Sequence, residues 1–284
     1  GQVYDSVNHI GNTDYITLIC EGVFADWGRV QGNNSTVPSQ NPAYSLGTAA
    51  TNSGLTVGTT YSSSDSTTLA NSTVDSTWAD WINTFATTLA STVKDGAGAQ
   101  IGVYTKDFVG SLPVSFSDTT NDSTHQIFQS VTMTNEVENY FTQILVNTNV
   151  YGQVAVTSGS APYRTLPLST ISGSTTQATD LANFYLAMYS TPFVGIKEIT
   201  CVSEAQNTWA LDLGYSWWDI LGYRTNITFR GTTYYMTILG SQFQWTPAGS
   251  TFTYYVASAA FLPYFVLDDA NFGVLDTNKL AYTF

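Results

Sequence analysis

The densest chemistry in the chain is the stretch Trp209, Asp212, Tyr215, Trp217, Trp218 and Asp219, with Glu198 and Glu204 just upstream. Carboxylates paired across a groove walled by Trp and Tyr are what a glycoside hydrolase requires. One protonates the leaving oxygen, the other acts as base or nucleophile, and the aromatic faces hold the sugar. That mechanism needs the two carboxyls about 5 to 10 Å apart, a relation that spacing along the chain does not set. Aromatic residues at this density more often build a core or an interface than a groove. Glu136 and Glu138 flank Val137 and project to different sides of a helix predicted there, as solvated or helix-dipole carboxylates rather than a dyad.

Metal and nucleophile chemistry has less material. Asp268, Asp269, Asn271 and Asp276, and separately Asp118, Asn121 and Asp122, form oxygen-rich loops that could receive calcium. Neither follows the spacing of an EF-hand, and turn chemistry explains both. His9 and His125 are the only histidines, which leaves a histidine-based zinc site almost without ligands. The chain has no GxSxG, HExxH or GxxxxGK[ST] run. Gly96, Gly98 and Gly102 imitate part of a dinucleotide fingerprint, but they follow a predicted helix and their spacing is wrong. No catalytic residue, cofactor or metal is assigned from the sequence.

Composition says more. A quarter of the 284 residues are Ser or Thr, and only 10% are charged, against about 25% in an average soluble domain. A surface solvated by hydroxyls and amides suits the outside of a cell or a virion. The net charge of −13 comes from 21 acids against eight bases, no two of them closer than six positions. That scatter supplies no basic stripe for nucleic acid or anionic lipid. A surface so poor in ion pairs also predicts tolerance of acid. No run of 18 apolar residues is present, so no helical membrane span is predicted. Cys20 and Cys201 stand 181 positions apart; in an oxidising compartment they read as a disulfide between an early and a late strand, and otherwise as two buried thiols.

The elements follow from periodicity. Tyr15 to Phe24 alternates as a strand. Residues 33–77, rich in Ser, Thr and Asn, read as an exposed segment of loop or weak strands. Trp78, Trp81, Ile82, Phe85 and Leu89 form one helical stripe, predicting a core-facing helix over 77–94 with Asp75 or Ser76 as cap. Further helices are predicted around Val137 to Leu145, with a strand as the alternative, and around Ala178 to Leu186 after Thr175 or Thr176. Beyond Pro192 the chain reads as strands, with a hairpin turning at Arg230-Gly231. The fold class predicted is mainly β with a few helices: a β-sandwich or jelly-roll-like body with helical insertions, in a single domain over 1–284.

Asn-x-Ser/Thr sequons fall at Asn33, Asn34, Asn71, Asn121 and Asn226. Asn34, Asn71, Asn121 and Asn226 are the glycosylation candidates if the chain is exported. Two segments read as assembly contacts: residues 1–30, with Tyr15, Ile16 and Leu18 on a strand donated to a neighbouring copy, and the alternating tail Leu280, Tyr282 and Phe284. Both could instead fold back on their own chain. Together these features predict a non-enzymatic structural subunit of an extracellular assembly, a filament or a virus coat or surface protein, whose main partners are copies of itself and which contacts glycans at most. A secreted β-sandwich glycosidase, or a carbohydrate-binding or adhesion module using Trp217 and Trp218, is the alternative.

Overall fold

The computed structural model describes residues 2–9, 15–21, 23–55, 58–62, 67–96, 100–105, 115–122, 124–136, 140–190, 193–203, 223–246 and 249–258. The protein is mainly β, with sheets and helical insertions. An antiparallel hairpin comes first, β1 (Gln2–His9) and β2 (Tyr15–Glu21), and among the described residues it pairs with no other strand. The chain then enters a helical unit: α1 (Val23–Arg29), β3 (Ser35–Val37), α2 (Pro42–Ser53), β4 (Gly58–Ser62), β5 (Ser72–Val74), α3 (Trp78–Thr88), β6 (Ser91–Gly96) and β7 (Gln100–Thr105). There β3 pairs with β5, and β7 lies between β4 and β6.

The helices of this unit are specified locally and held by the core. The predicted stripe of α3 is fully enclosed: Trp78, Trp81, Ile82 and Phe85 pack with Trp27, Leu46, Leu69 and Val74. Trp81 stacks on Phe85 with ring centroids 5.2 Å apart. The N-terminus carries a capping box, in which Thr77 Oγ1 accepts the Asp80 N–H and Asp80 Oδ2 accepts the Thr77 N–H. The cap is thus Thr77, not Asp75 or Ser76. The helix also ends six residues before the predicted position 94. Ala90 takes a left-handed conformation (φ 46°), and Ser91-Thr92-Val93 pairs with β7, the state that β-branched residues favour.

Residues 33–77, read as exposed loop or weak strands, hold the short strands β3, β4 and β5 and also a helix and buried side chains that composition did not show. The segment holds α2, capped by the Asn41 side chain on the Tyr44 N–H, opened by Pro42 and closed by Gly54 in the left-handed region. Val37, Leu46, Ala49, Leu69 and Val74 from this stretch are buried. A few well-placed apolar residues suffice to anchor a hydroxyl-rich segment, which average composition hides.

The largest sheet runs in the order β10 (Ser130–Glu136), β14 (Phe193–Ser203), β17 (Gly249–Ser258), β16 (Thr232–Thr246), β15 (Arg224–Phe229), β8 (Ser115–Ser117) and β9 (His125–Ile127). Its two edge strands, β9 and β10, are joined by Phe128 and Gln129 alone. Seven flat strands would set those edges about 29 Å apart at ~4.8 Å per strand, whereas the three residue steps from Ile127 to Ser130 reach at most about 11 Å. The sheet therefore curls until its edges meet. The link is pinned on both sides, by the Phe128 N–H on the Ser117 carbonyl and the Gln129 N–H on the Thr200 carbonyl. Inside lie Phe116, Ile199, Cys201, Ile227, Ile238, Phe252 and Tyr254. The hairpin predicted at Arg230-Gly231 joins β15 to β16, with both turn residues at positive φ (49° and 77°).

Between the paired strands β10 and β14 the chain inserts a further unit: β11 (Gln143–Thr148), β12 (Gly152–Thr157), β13 (Thr165–Thr170) and α4 (Thr175–Tyr189). Helix α4 is the one predicted there, but its cap is Ser174, not Thr175 or Thr176. At 143–148 the strand alternative holds and the helix does not, because Ile144 and Val146 alternate into the core beneath α4. Deleting the side chain that links the α3 stripe to its neighbours, Phe85→Ala, is expected to cost about 3–5 kcal/mol, measurable as a lowered midpoint in urea unfolding.

Candidate functional site

Of the carboxylates weighed for catalysis, Glu198 and Glu136 are the ones among the described residues. Glu198 sits on the outer face of the curled sheet, where it accepts a hydrogen bond from Thr132 Oγ1 at 2.9 Å. Glu136 ends β10. Glu138, Glu204 and the stretch 209–219 lie outside the described residues, as do Asp268, Asp269, Asn271 and Asp276. No group of three His, Cys, Asp or Glu side chains suited to a metal occurs among the described residues.

The loop at Asp118, Asn121 and Asp122 is described, and its carboxylates serve the fold. Asp118 Oδ2 accepts the Arg230 N–H at 2.8 Å, tying the β8–β9 connection to the β15–β16 turn. Asp122 Oδ1 accepts the N–H groups of Thr124 and His125, both at 2.8 Å, and the Thr124 hydroxyl at 2.9 Å, with His125 Nδ1 at 3.0 Å. The Thr124 N–H, followed by the His125 ring and the Thr124 hydroxyl, holds the Asp122 carboxyl well below the usual carboxylate range. A metal would have to displace these donors.

Of the two cysteines, Cys201 is the one whose side chain is described. It carries a free thiol inside the curled sheet, fully buried. Burial pushes that thiol up to about 12, so at neutral pH it is a protonated, unreactive small apolar group. Cys20 lies on β2, paired in backbone register with Val3. Tyr15, Ile16 and Leu18 share that strand, in register with His9, Asn8 and Ser6. Leu280, Tyr282 and Phe284 lie outside the described residues. The sequon residues Asn34, Asn71, Asn121 and Asn226 are all exposed, Asn34 in a left-handed turn with φ 60°.

The surface that sequence reasoning missed is on the inserted unit. One face of its three-stranded sheet packs under α4 through Ile144, Val146, Val154, Val156, Leu166 and Leu168. The opposite face is built from three cross-strand rows, set by the register. Thr157, Gln143 and Thr165 form the first, Ala155, Leu145 and Pro167 the second, Gln153, Asn147 and Ser169 the third. Amides and hydroxyls bond within the outer rows, Thr165 Oγ1 donating to Gln143 Oε1 and Gln153 Nε2 to Asn147 Oδ1. The middle row is apolar. None of the nine is charged, and no charged residue occurs anywhere from 139 to 163. Val150 and Tyr151, 58% and 46% exposed, cap one end in the β11–β12 turn, and Tyr163 stands exposed at the other. The signal was present as a charge-free run of 25 residues, but its meaning as one face depends on the parallel pairing of β11 with β13.

With this geometry established, likeness to known proteins is confined to structure. No protein-family model and no curated protein sequence matches the chain. Among solved structures it is similar to a tail protein from Neisseria meningitidis (TM-score 0.66, 10% identity, 91% of this chain and 79% of that one). It is similar also to the 43 kDa tail protein of prophage MuSo2 from Shewanella oneidensis (TM-score 0.61, 13% identity, 91% and 76%). A third is prophage tail protein gp18 from Listeria monocytogenes (TM-score 0.54, 10% identity, 90% and 76%). The chain shares the fold of these tail proteins. The likeness runs through the helical unit, the inserted unit and the curled sheet together, since it spans nine-tenths of the chain.

Two outcomes follow from the site chemistry. A thiol reagent is expected to leave Cys201 unmodified at pH 7 in the native protein and to label it once the chain is unfolded in guanidinium. Asp122→Ala is expected to lower stability at pH 7. Because the folded-state pKa of Asp122 is depressed, its contribution is full above the ordinary carboxyl pKa near 4 and is lost as the pH falls from there through the lower folded-state value. Thermal melts of variant and parent should therefore converge only in strong acid.

Proposed function

We propose that the chain is a non-enzymatic structural subunit of a virion tail-type assembly whose principal partners are further copies of itself. The observation that carries this reading is the shared fold with three tail proteins over about nine-tenths of the chain. The surface chemistry supports it. Copies bearing a net charge of −13 repel one another across most orientations, and the outer face of the β11–β13 sheet is a place where two surfaces can meet without opposing like charges. An apolar row between two hydroxyl and amide rows also matches the pattern of an apolar centre with a polar rim. Placement in an extracellular particle, tolerance of acid and glycans on Asn34 or Asn71 belong to the same reading, supported by composition and by the exposure of those side chains.

Light scattering coupled to size exclusion, with negative-stain imaging of the same peak, tests the proposal. A discrete oligomer or ordered ring or tube is expected, and a monomer at every concentration would overturn it. Ala155→Glu places a charge at the centre of the neutral face. It is expected to weaken association at least tenfold, about 1.4 kcal/mol, with circular dichroism unchanged.

A further inference from the structure

A cleft of about 660 Å³ opens where the β5–α3 segment faces the β11–β13 sheet, within the size range of small-molecule sites. Thr73 and Asp75 stand on one wall, and Asn147, Asn149 and Ser169 on the other. The walls are tied at one end by Asn149 Nδ2 donating to the Asn71 carbonyl at 2.6 Å. They are tied again at depth, where the Ile171 N–H donates to Thr88 Oγ1 at 3.0 Å. The cleft is therefore bounded by two units whose relative position is fixed by hydrogen bonds.

The chemistry of the lining narrows the occupant. No Lys, Arg or His is among the described residues that line it, while Asp75 and Asp80 set two carboxylates against an anion, which disfavours phosphate, sulfate and nucleic acid. A divalent cation is disfavoured as well. Of the two carboxylates present, Asp80 has Oδ2 committed to the Thr77 N–H and hydroxyl at 3.2 and 2.7 Å, and no metal-holding cluster exists among the described residues. Asn147 has Oδ1 occupied by Gln153 and its amide N–H groups unassigned, while Asn149 has its oxygen unassigned. Asp75, Thr73 and Ser169 bring a carboxylate and two hydroxyls without side-chain hydrogen bonds among the described residues. A carboxylate, two amides and hydroxyls on facing walls can bind vicinal hydroxyls from both sides, and Val150 at the rim offers an apolar patch for a ring C–H face.

We propose that this cleft binds a neutral oligosaccharide. Trp81 forms part of the floor, but its Nε1 donates to Ser72 Oγ at 3.0 Å, its ring stacks on Phe85, and it is almost wholly buried. No aromatic platform is offered among the described residues, so recognition rests on hydrogen bonds exchanged with water, and affinity is on the order of millimolar. The cleft is built within one chain, but Asn147 and Ser169 also form one row of the neutral face, so a second copy docked there and a sugar compete for that wall.

Saturation-transfer NMR on the intact chain, with maltotriose, cellotriose and triacetylchitotriose each at millimolar concentration, tests this. Transfer to at least one trisaccharide is expected, reduced at least fivefold in Thr73→Trp, which fills the cleft from an exposed position on β5, and retained in Ala155→Glu whatever its oligomeric state. If Thr73→Trp loses its circular dichroism, Ser169→Trp fills the cleft from the opposite wall. Absence of transfer to all three sugars in both the parent and Ala155→Glu, whose cleft no second copy covers, or transfer equal in the parent and the folded cleft-filling variant, overturns the proposal and leaves the assembly reading untouched.

Discussion

The two-residue connection between β9 and β10 governs the architecture. Because Phe128 and Gln129 must bridge the outermost strands of a seven-stranded sheet, that sheet has one available shape, curled with its edges together. Closure gives the sheet an inside, and the inside is filled by Phe116, Phe252 and Tyr254 around a sealed Cys201. It also limits exposed strand edge, the usual route by which β-rich proteins aggregate. The inserted unit is positioned by the same constraint. It departs after Glu136 and returns at Phe193, which are direct partners in the β10–β14 ladder, so a 56-residue excursion begins and ends at adjacent points of one rigid sheet.

Few charges leave cross-strand work to hydroxyls and amides. Thr200 and Thr253 meet at 3.1 Å across β14 and β17, and Thr228 and Thr233 at the same distance across β15 and β16. Such pairs contribute a few tenths to one kcal/mol each, as opposite charges do in other sheets, and they do not titrate in the range where carboxylates do. The same economy leaves the outer face of the β11–β13 sheet neutral. A face of that kind suits contact between copies of an acidic molecule, whereas a face with ordinary charge density would need a complementary partner.

Local order was readable where a short stretch carried its own instructions. The stripe of α3, the region of α4 and the Arg230-Gly231 hairpin were legible because spacing of apolar residues and turn chemistry act within a few positions. For 33–77 the weak strands were legible, but α2 and the buried Leu46, Leu69 and Val74 were not, because composition averages over residues whose partners Trp27 and Phe85 lie outside the segment. At 143–148 the local pattern suited helix or strand, and pairing with β12 and β13 decided it. Spacing and compartment left Cys201 open as a disulfide partner or a buried thiol, while its burial inside a closed sheet is a property of topology.

By itself the sequence determined a mainly β chain with helical insertions, a hydroxyl-rich acidic surface and the absence of recognisable catalytic motifs, since these depend on residue type and on neighbours within a turn or a strand. Only the tertiary structure decided that the large sheet closes, that a charge-free run becomes one neutral face, and that β5–α3 and β11–β13 enclose a cleft. Each of those features joins residues tens of positions apart through hydrogen-bond register and packing, and no periodicity along a single chain encodes which strand will lie beside which.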